Sequence, residues 1–535
     1  RLRHEEALVL QTALAQRRAR HRATRTAVAW PAPGPDSLRA DLDAALPYEL
    51  TAGQTRVGED LSRALESTVP MQVLLQGDVG SGKTLVALRA MAQVVGAGGQ
   101  AALLAPTEVL AAQHRTSLEA LLGPLGRAGT LGGARRATRV LLLTGSTPAP
   151  QRREVLAALA AGEPAIVVGT HALLSETVQI PFLGLVVVDE QHRFGVAQRD
   201  ALRERRGVTD PATGDERTPH LLVMTATPIP RTIAMTIFGD LDLAVLDELP
   251  AGRRPVDTHL VPWERQPWVD KIWRRAAREI AAGGRVYVVC PRIDADERGE
   301  QAHGDADRPE AGDDIVEELD SEEPDREGPA RPPAAVTQWA QRLADEPALA
   351  GARIGTLTGR MTSTEKDAAM EAFAGGAAPV LVATTVIEVG VDVPEATMMV
   401  ILDADRFGLS QLHQLRGRVG RGSRPAVCVA TTGVEVGSAA FHRLKAFGDI
   451  TDGFALAEAD LRLRSEGNVL GAAQSGRRSD LDLLRVTRHR KVIEAARGEA
   501  EAIVAADPQL RRHRVLAAAI ARRLDEESQA FLERA

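Results

Sequence analysis

The sequence predicts an α/β protein: two successive units, each built on a mainly parallel sheet, followed by a helical C-terminal region. Three observations carry this reading. From about residue 48 to 255, short apolar runs alternate with helical stretches; a second series of the same kind follows to about 432; beyond that the pattern is helical and rich in Arg. Alternation of this kind is the signature of strands crossing over through helices into a parallel sheet.

The elements follow in order. Residues 1–30 have the apolar spacing of an amphipathic helix ending in Arg-rich turns, and 31–47, with four prolines, reads as a connector. The first unit supplies the runs MQVLLQG, AALLAP, AIVVGT, LGLVVVDE and HLLVMTAT, and the second supplies RVYVVCP, ARIGTLTG, APVLVATT, MMVILDA and AVCVATT. The expected division is 1–47 linker helix and connector, 48–255 first unit, 256–432 second unit with an insert at about 294–335, and 433–535 helical region.

Composition bounds the function. With 535 residues, 44% hydrophobic and 26% charged at a net −7, the chain can bury ample core and is not disordered as a whole. Residues 294–333 carry 16 Asp or Glu against 4 Arg, a net of −12 that exceeds the chain's whole net charge and leaves the rest mildly basic at +5. That run is too polar to offset its ordering entropy and is expected to be a disordered insert. It reads either as a solvated loop or as a decoy competing with nucleic acid for a basic cleft. Cys290 and Cys428 sit in strand-like apolar runs and read as small buried hydrophobes, which points to a reducing compartment. No apolar stretch reaches the roughly 18–20 residues that span a bilayer, and the N-terminus has no signal-peptide core; a cytoplasmic protein is expected. The first residue is Arg, so the chain reads as a fragment or processed product.

Two motifs carry phosphate chemistry. Gly77-Asp78-Val79-Gly80-Ser81-Gly82-Lys83-Thr84 follows a strand-like run and precedes a helical one, the context that GxxxxGK(S/T) requires. Gly77, Gly80 and Gly82 let backbone N–H groups curl around phosphate oxygens, Lys83 neutralises β/γ charge, and the Thr84 hydroxyl ligates Mg²⁺. Only 5 of the 65 basic residues are Lys, so a lysine at this position is unlike a chance occurrence. About a hundred residues on, Asp189 and Glu190 end an apolar run: Asp189 suits the metal, and Glu190 suits the attacking water. In the second unit, Arg418 and Arg421 are three apart, one face if helical, and two guanidiniums there can reach across a cleft to the γ-phosphate. Their alternative is a surface or phosphate-backbone patch.

Together these residues match the pattern of helicase superfamily 2, and the finer wording resembles the RecG family of ATP-dependent DNA helicases. The resemblance implies two RecA-like domains and assigns further roles. Gln54 in LTAGQ is similar to the adenine-reading glutamine, APTEVLAAQH (105–114) to motif Ia, DEQHRFGVAQR (189–199) to motif II and TATPIPRT (225–232) to motif III. TGRM (358–361) is similar to motif IVa, TTVIEVGVDVP (384–394), with Asp392 toward the nucleotide, to motif V, and FGLSQLHQLRGRVGRG (407–422), with Gln414 among its catalytic residues, to motif VI. DGFALAEADLRLRSEGNVLGAAQSG (452–476) resembles the hairpin coupling hydrolysis to movement and carries Arg462, Arg464 and Gln474. Family members commonly have RGPG where this chain reads Arg464-Ser465-Glu466-Gly467.

The resemblance implies ATP and Mg²⁺ as cofactors. The implied partners are double-stranded and branched DNA (forks, Holliday junctions) and a single-strand DNA-binding protein, with no membrane. The family's N-terminal wedge domain has no counterpart in this sequence, and aromatics at 3% offer no rich base-stacking platform, so grip through the DNA backbone is expected. Two alternatives stay open: a motor of the transcription-repair coupling type, and a catalytically inactive nucleic-acid scaffold. Retention of Lys83, Glu190, Arg418 and Arg421 together argues against the scaffold.

Overall fold

A computed structural model describes residues 2–175, 177–189, 208–210, 213–225, 241–248, 255–294, 333–388, 393–422, 424–471 and 489–522. The chain opens with α1 (Leu2–Thr24), α2 (Leu38–Ala45) and α3 (Ala52–Leu65). The stretch expected to be a bare connector therefore holds a helix. Ser37 starts it, its Oγ accepting the Ala40 N–H at 3.2 Å, and Leu38 and Leu42 are buried in the first unit's core. An eight-residue helix is marginal alone, but burying each leucine contributes on the order of 1.5–3 kcal/mol.

The first unit is built from β1 (Gln72–Gly77), α4 (Lys83–Gly96), β2 (Gln100–Leu104), α5 (Glu108–Leu122), β3 (Arg139–Leu143), α6 (Ala149–Ala160), β4 (Ala165–Gly169) and β5 (Leu183–Asp189). A small antiparallel ribbon of β6 (Val208–Thr209) and β7 (Glu216–Arg217) follows, then β8 (His220–Thr225) and β9 (Asp242–Leu246). The seven-stranded sheet has the order β3-β4-β2-β5-β8-β1-β9 and is parallel throughout. The second unit comprises β10 (Asp257–Pro262), α7 (Gln266–Ala281), β11 (Arg285–Val289), α8 (Val336–Ala344), β12 (Ile354–Leu357), α9 (Ser363–Ala374), β13 (Val380–Ala383), β14 (Ala396–Ile401), α10 (Leu409–Arg416) and β15 (Val427–Thr432). Its six strands run parallel in the order β10-β15-β14-β11-β13-β12. Among the described residues, α11 (Ala439–Asp449), α12 (Gly453–Gly471) and α13 (Arg490–Ala506) follow, and the chain is helical again over 514–522.

Two parallel-sheet α/β units with a helical C-terminal region are thus the fold that the alternating pattern predicts. Within the two large sheets, three strands escape the apolar-run reading, β3, β9 and β10, and all three are sheet edges; the short ribbon β6–β7 escapes it too. An edge strand is half solvated, so β9 and β10 mix polar with apolar residues instead of forming a continuous run. Both cysteines are free and buried, and burial pushes the Cys428 thiol up to about 12. Four of the five tryptophans serve the core: Trp263, Trp273 and Trp339 pack together in the second unit, and Trp30 is buried in the first, while Trp268 is exposed.

The acidic insert lies almost wholly outside the described residues, but its two stems are paired: Val336 N–H donates to Arg292 O at 3.0 Å and Thr337 N–H to Ile293 O at 3.2 Å. At the chain's ends, α1 packs along α13 through Ala7, Ile493 and Ala496, with Arg18 Nη1 3.2 Å from Glu501 Oε1. Among the described residues, no helix is long and apolar enough to cross a membrane.

Candidate nucleotide-hydrolysis site

In a parallel sheet the loops leaving the carboxyl ends of the strands share one edge, where ligands bind. β1 delivers the phosphate-loop sequence to that edge and β5 delivers Asp189, with only β8 between them. Gly82 is the N-cap of α4 and takes φ 90°, a left-handed conformation that a side chain would strain. The Gln54 amide lies directly over it, where a Cβ would collide. Gln54 is held at both ends: its Oε1 accepts Thr51 N–H at 3.1 Å, closing a capping box on α3, and its Nε2 donates to Ser81 O at 2.8 Å. Lys83 Nζ donates to Gly77 O at 2.7 Å and Asp78 O at 3.0 Å, so the ammonium folds back onto the loop that would receive a phosphate. Gly80 is exposed, Thr84 is half-buried, and the buried Ser81 Oγ has no hydrogen-bond partner among the described residues. An orphaned hydroxyl, a glycine cradle and a folded-back lysine fit a phosphate chain. One hydroxyl and one carboxylate, Thr84 and Asp189, fit Mg²⁺, which keeps several waters and takes further oxygens from phosphate. An open cavity of about 480 Å³ at the start of α3 is lined by Tyr48, Leu50 and Thr55 among others, and Tyr48 is exposed to it.

Asp189 has a partner that the motif reading did not single out. His114 Nε2 lies 2.7 Å from Asp189 Oδ2, both side chains being largely buried. The contact exists because β2 pairs with β5, Leu104 opposite Val188, so α5 starts at the edge where β5 ends. His114 closes APTEVLAAQH, the only signal in the sequence; the β2–β5 adjacency is not written there. Glu190, Asp392 and Gln474 lie outside the described residues, as does the side chain of Arg464. Arg462 is mostly exposed on α12, 3.2 Å from Glu458.

The second unit reaches this edge through α10. Arg418 and Arg421 are not on a helix, as their spacing suggested: α10 ends at Arg416 with Gly417 as C-cap. The chain then turns, burying Val419 and tying Gly420 N–H to Ala396 O at 3.2 Å in β14, so sheet contacts displace the next helical turn. Gly417 lies against Val79 of the phosphate loop, where a Cβ would sit 3.0 Å from the valine side chain. Arg421 Nε donates to Gly417 O at 3.1 Å, bringing that arginine to the same seam, and Gln414 is buried on α10. His413 Nε2 lies 2.6 Å from Asp78 Oδ1. Burial works to raise Asp78, but hydrogen bonds from His413 and from the Val79 and Gly453 amides outweigh it and hold the carboxyl below the usual range.

Comparison with known proteins bears on the family and the fold. Residues 59–236 match the DEAD/DEAH box helicase family, 334–423 the helicase conserved C-terminal domain, and 450–533 the family "ATP-dependent DNA helicase RecG, domain 3, C-terminal". The chain is 50% identical over 501 residues to the ATP-dependent DNA helicase RecG of Mycobacterium bovis, covering 93% of this chain and 63% of that one. The chain belongs to the RecG family of ATP-dependent DNA helicases. The RecG of Mycobacterium leprae is 48% identical over 93% of this chain and 62% of its own length. A solved structure of RecG bound to a three-way DNA junction superposes with a TM-score of 0.65 at 34% identity, over 92% of this chain and 56% of that one. The chain thus spans under two thirds of the length of these RecG relatives.

Proposed function

We propose that this chain is the ATP-driven motor of a RecG-type helicase, moving along double-stranded DNA, and that the full-length protein remodels stalled forks and branch-migrates Holliday junctions. The observation that carries the motor reading is the seam between the phosphate loop and motif VI, where Gly417 abuts Val79 and Arg421 is tied to Gly417 O. A site divided between two units can be assembled or broken by moving one against the other, which converts hydrolysis into motion. Branched DNA as substrate is supported by the junction in the RecG structure that this chain resembles, and the sequence supports a cytoplasmic setting. We take 48–255 and 256–432 as the two lobes and 433–535 as the region that couples them to DNA.

In this reading ATP brings its own Mg²⁺, whose charge eases transfer of the γ-phosphoryl group. Gly77, Gly80 and Gly82 shape the phosphate cradle, and Lys83 turns from the Gly77 and Asp78 carbonyls to the β/γ oxygens. Thr84 and Asp189 hold the metal, with His114 fixing the Asp189 carboxylate. Glu190 orients the water, while Gln414, Arg418 and Arg421 serve from the opposite lobe. Gln54 braces the loop beside a purine set in the Tyr48-lined cavity, and Asp392 contacts the nucleotide. Arg462, Arg464 and Gln474 pass the lobe motion to DNA.

The test is DNA-stimulated ATP hydrolysis. The wild-type chain should hydrolyse ATP faster with duplex DNA, and Lys83→Ala should be nearly inactive. Arg421→Ala should fall by roughly 10³–10⁵, the range for an arginine supplied to a phosphoryl-transfer site. Wild-type turnover by Arg421→Ala at saturating DNA and ATP would remove the composite site.

A further inference from the structure

Asp78, the second residue of the phosphate loop, bonds through its carboxylate to the second unit and to the start of α12. Its carboxylate makes three contacts: Oδ1 accepts its neighbour Val79 N–H at 2.6 Å and His413 Nε2 at 2.6 Å, and Oδ2 accepts Gly453 N–H, at the start of α12, at 3.3 Å. Behind His413 stands Arg416, whose Nη2 lies 2.8 Å from His413 Nδ1. A guanidinium only donates, so Nδ1 accepts and the imidazole's proton sits on Nε2, donated to Asp78. The three side chains thus form one directed chain, from arginine through a neutral imidazole to carboxylate, and all are wholly or largely buried.

Arg416 directs its other Nη donors to the end of α11 and the turn before α12. Nη1 donates to Phe447 O and Ile450 O, each at 2.9 Å, and Nη2 to Thr451 O at 3.1 Å. Phe447 O and Ile450 O are carbonyls that the end of α11 leaves without intrahelical partners, and Thr451 O lies in the turn beyond. The junction is therefore gripped on its carbonyl side by Arg416 and on its amide side, at Gly453, by Asp78. On the loop's own side, Lys83 Nζ holds the Asp78 carbonyl at 3.0 Å. A phosphate chain that draws Lys83 away releases the main chain of the very residue whose carboxylate anchors α12.

We propose that Asp78, His413 and Arg416 are positioning residues that carry the occupancy of the phosphate loop to the first turn of α12. The inference rests on the motor reading above and deepens it, since α12 begins the segment assigned to coupling. It makes the Asp78–His413 bond the joint between the two lobes on this path: broken, the motor burns ATP without moving α12 in step.

Two variants separate the joint from ordinary packing. His413→Asn keeps an acceptor near the Nδ1 position for Arg416 but falls short of Asp78, whereas His413→Gln reaches to the Nε2 position and can donate there. Triplex displacement from duplex DNA, divided by ATP hydrolysed in the same reaction, reports the coupling. His413→Asn should lower that ratio by about tenfold, the factor that one charge-assisted hydrogen bond commands, while His413→Gln restores most of it. Hydrogen exchange gives a readout without turnover: binding of AMP-PNP should change exchange around residue 453 in the wild type and in His413→Gln, and not in His413→Asn. An Asn variant with wild-type displacement per ATP and a wild-type exchange response would overturn the proposal and leave the motor reading standing. A wild-type chain that hydrolyses no ATP with DNA would overturn both.

Discussion

His220 joins three segments that are far apart in the chain. Its Nδ1 accepts the Met71 N–H at 3.0 Å, which leaves the proton on Nε2 to be donated to Val28 O at 2.9 Å. One imidazole thus satisfies two main-chain groups and fixes the segment before α2 to the sheet. Burial drives its pKa from the usual 6.5 to about 4, against the upward pull of the Val28 carbonyl. Below pH 6.5 the unfolded chain takes a proton that the folded chain refuses, so this contribution is full above 6.5 and lost as pH falls through about 4. Its size is on the order of 3 kcal/mol. The thermal midpoint should therefore fall between pH 7 and 4.5, and His220→Gln, starting lower, should show a flatter decline. Parallel curves for the two proteins would assign the acid loss to other groups.

At the scale of elements, the pairing of α1 with α13 is separable from the nucleotide site. It rests on small residues that let the helices approach: Ala7 and Ala496 are buried, and Gln16 Nε2 donates to Pro508 O at 2.9 Å. Ala496→Arg would place a long charged chain in that contact, and an unpaired buried charge is costly enough to part the helices. Amide exchange in α1 should then rise strongly while strands such as β2 and β14 keep wild-type protection. Equal loosening of α1 and the two sheets would show that the helix pair underpins the whole molecule.

For the whole molecule, the paired stems at Arg292 and Val336 set the consequence of removing the insert. Their ends already lie side by side, so replacing 295–332 with a short Gly-Ser linker asks for no rearrangement of β11 or α8. Closing a loop changes in cost by only about 0.6 kcal/mol per doubling of length. The shortened chain should melt within a few degrees of wild type by calorimetry, and a drop of many degrees would make the insert structural. Removing 295–332, with 15 Asp or Glu against 4 Arg, turns the net charge from −7 to +4, so duplex binding should tighten at low salt and much less at high salt if the run competes for the DNA cleft.

The sequence by itself determined the two α/β units, the phosphate loop and the strand-terminal Asp189, because buried parallel strands and phosphate cradles demand residue types that stand out along a chain. It did not reveal β9 and β10, whose edge positions relax that demand, nor the true end of α10, where a spacing of three residues mimics a helix but β14 captures Gly420. Tertiary structure alone decided which strands are neighbours, and with that the pairing of His114 with Asp189. It alone brought His413 to Asp78 across 335 residues. A single His and a single Asp are common in any sequence, and only the meeting of two separately folded sheets gives that pair its place.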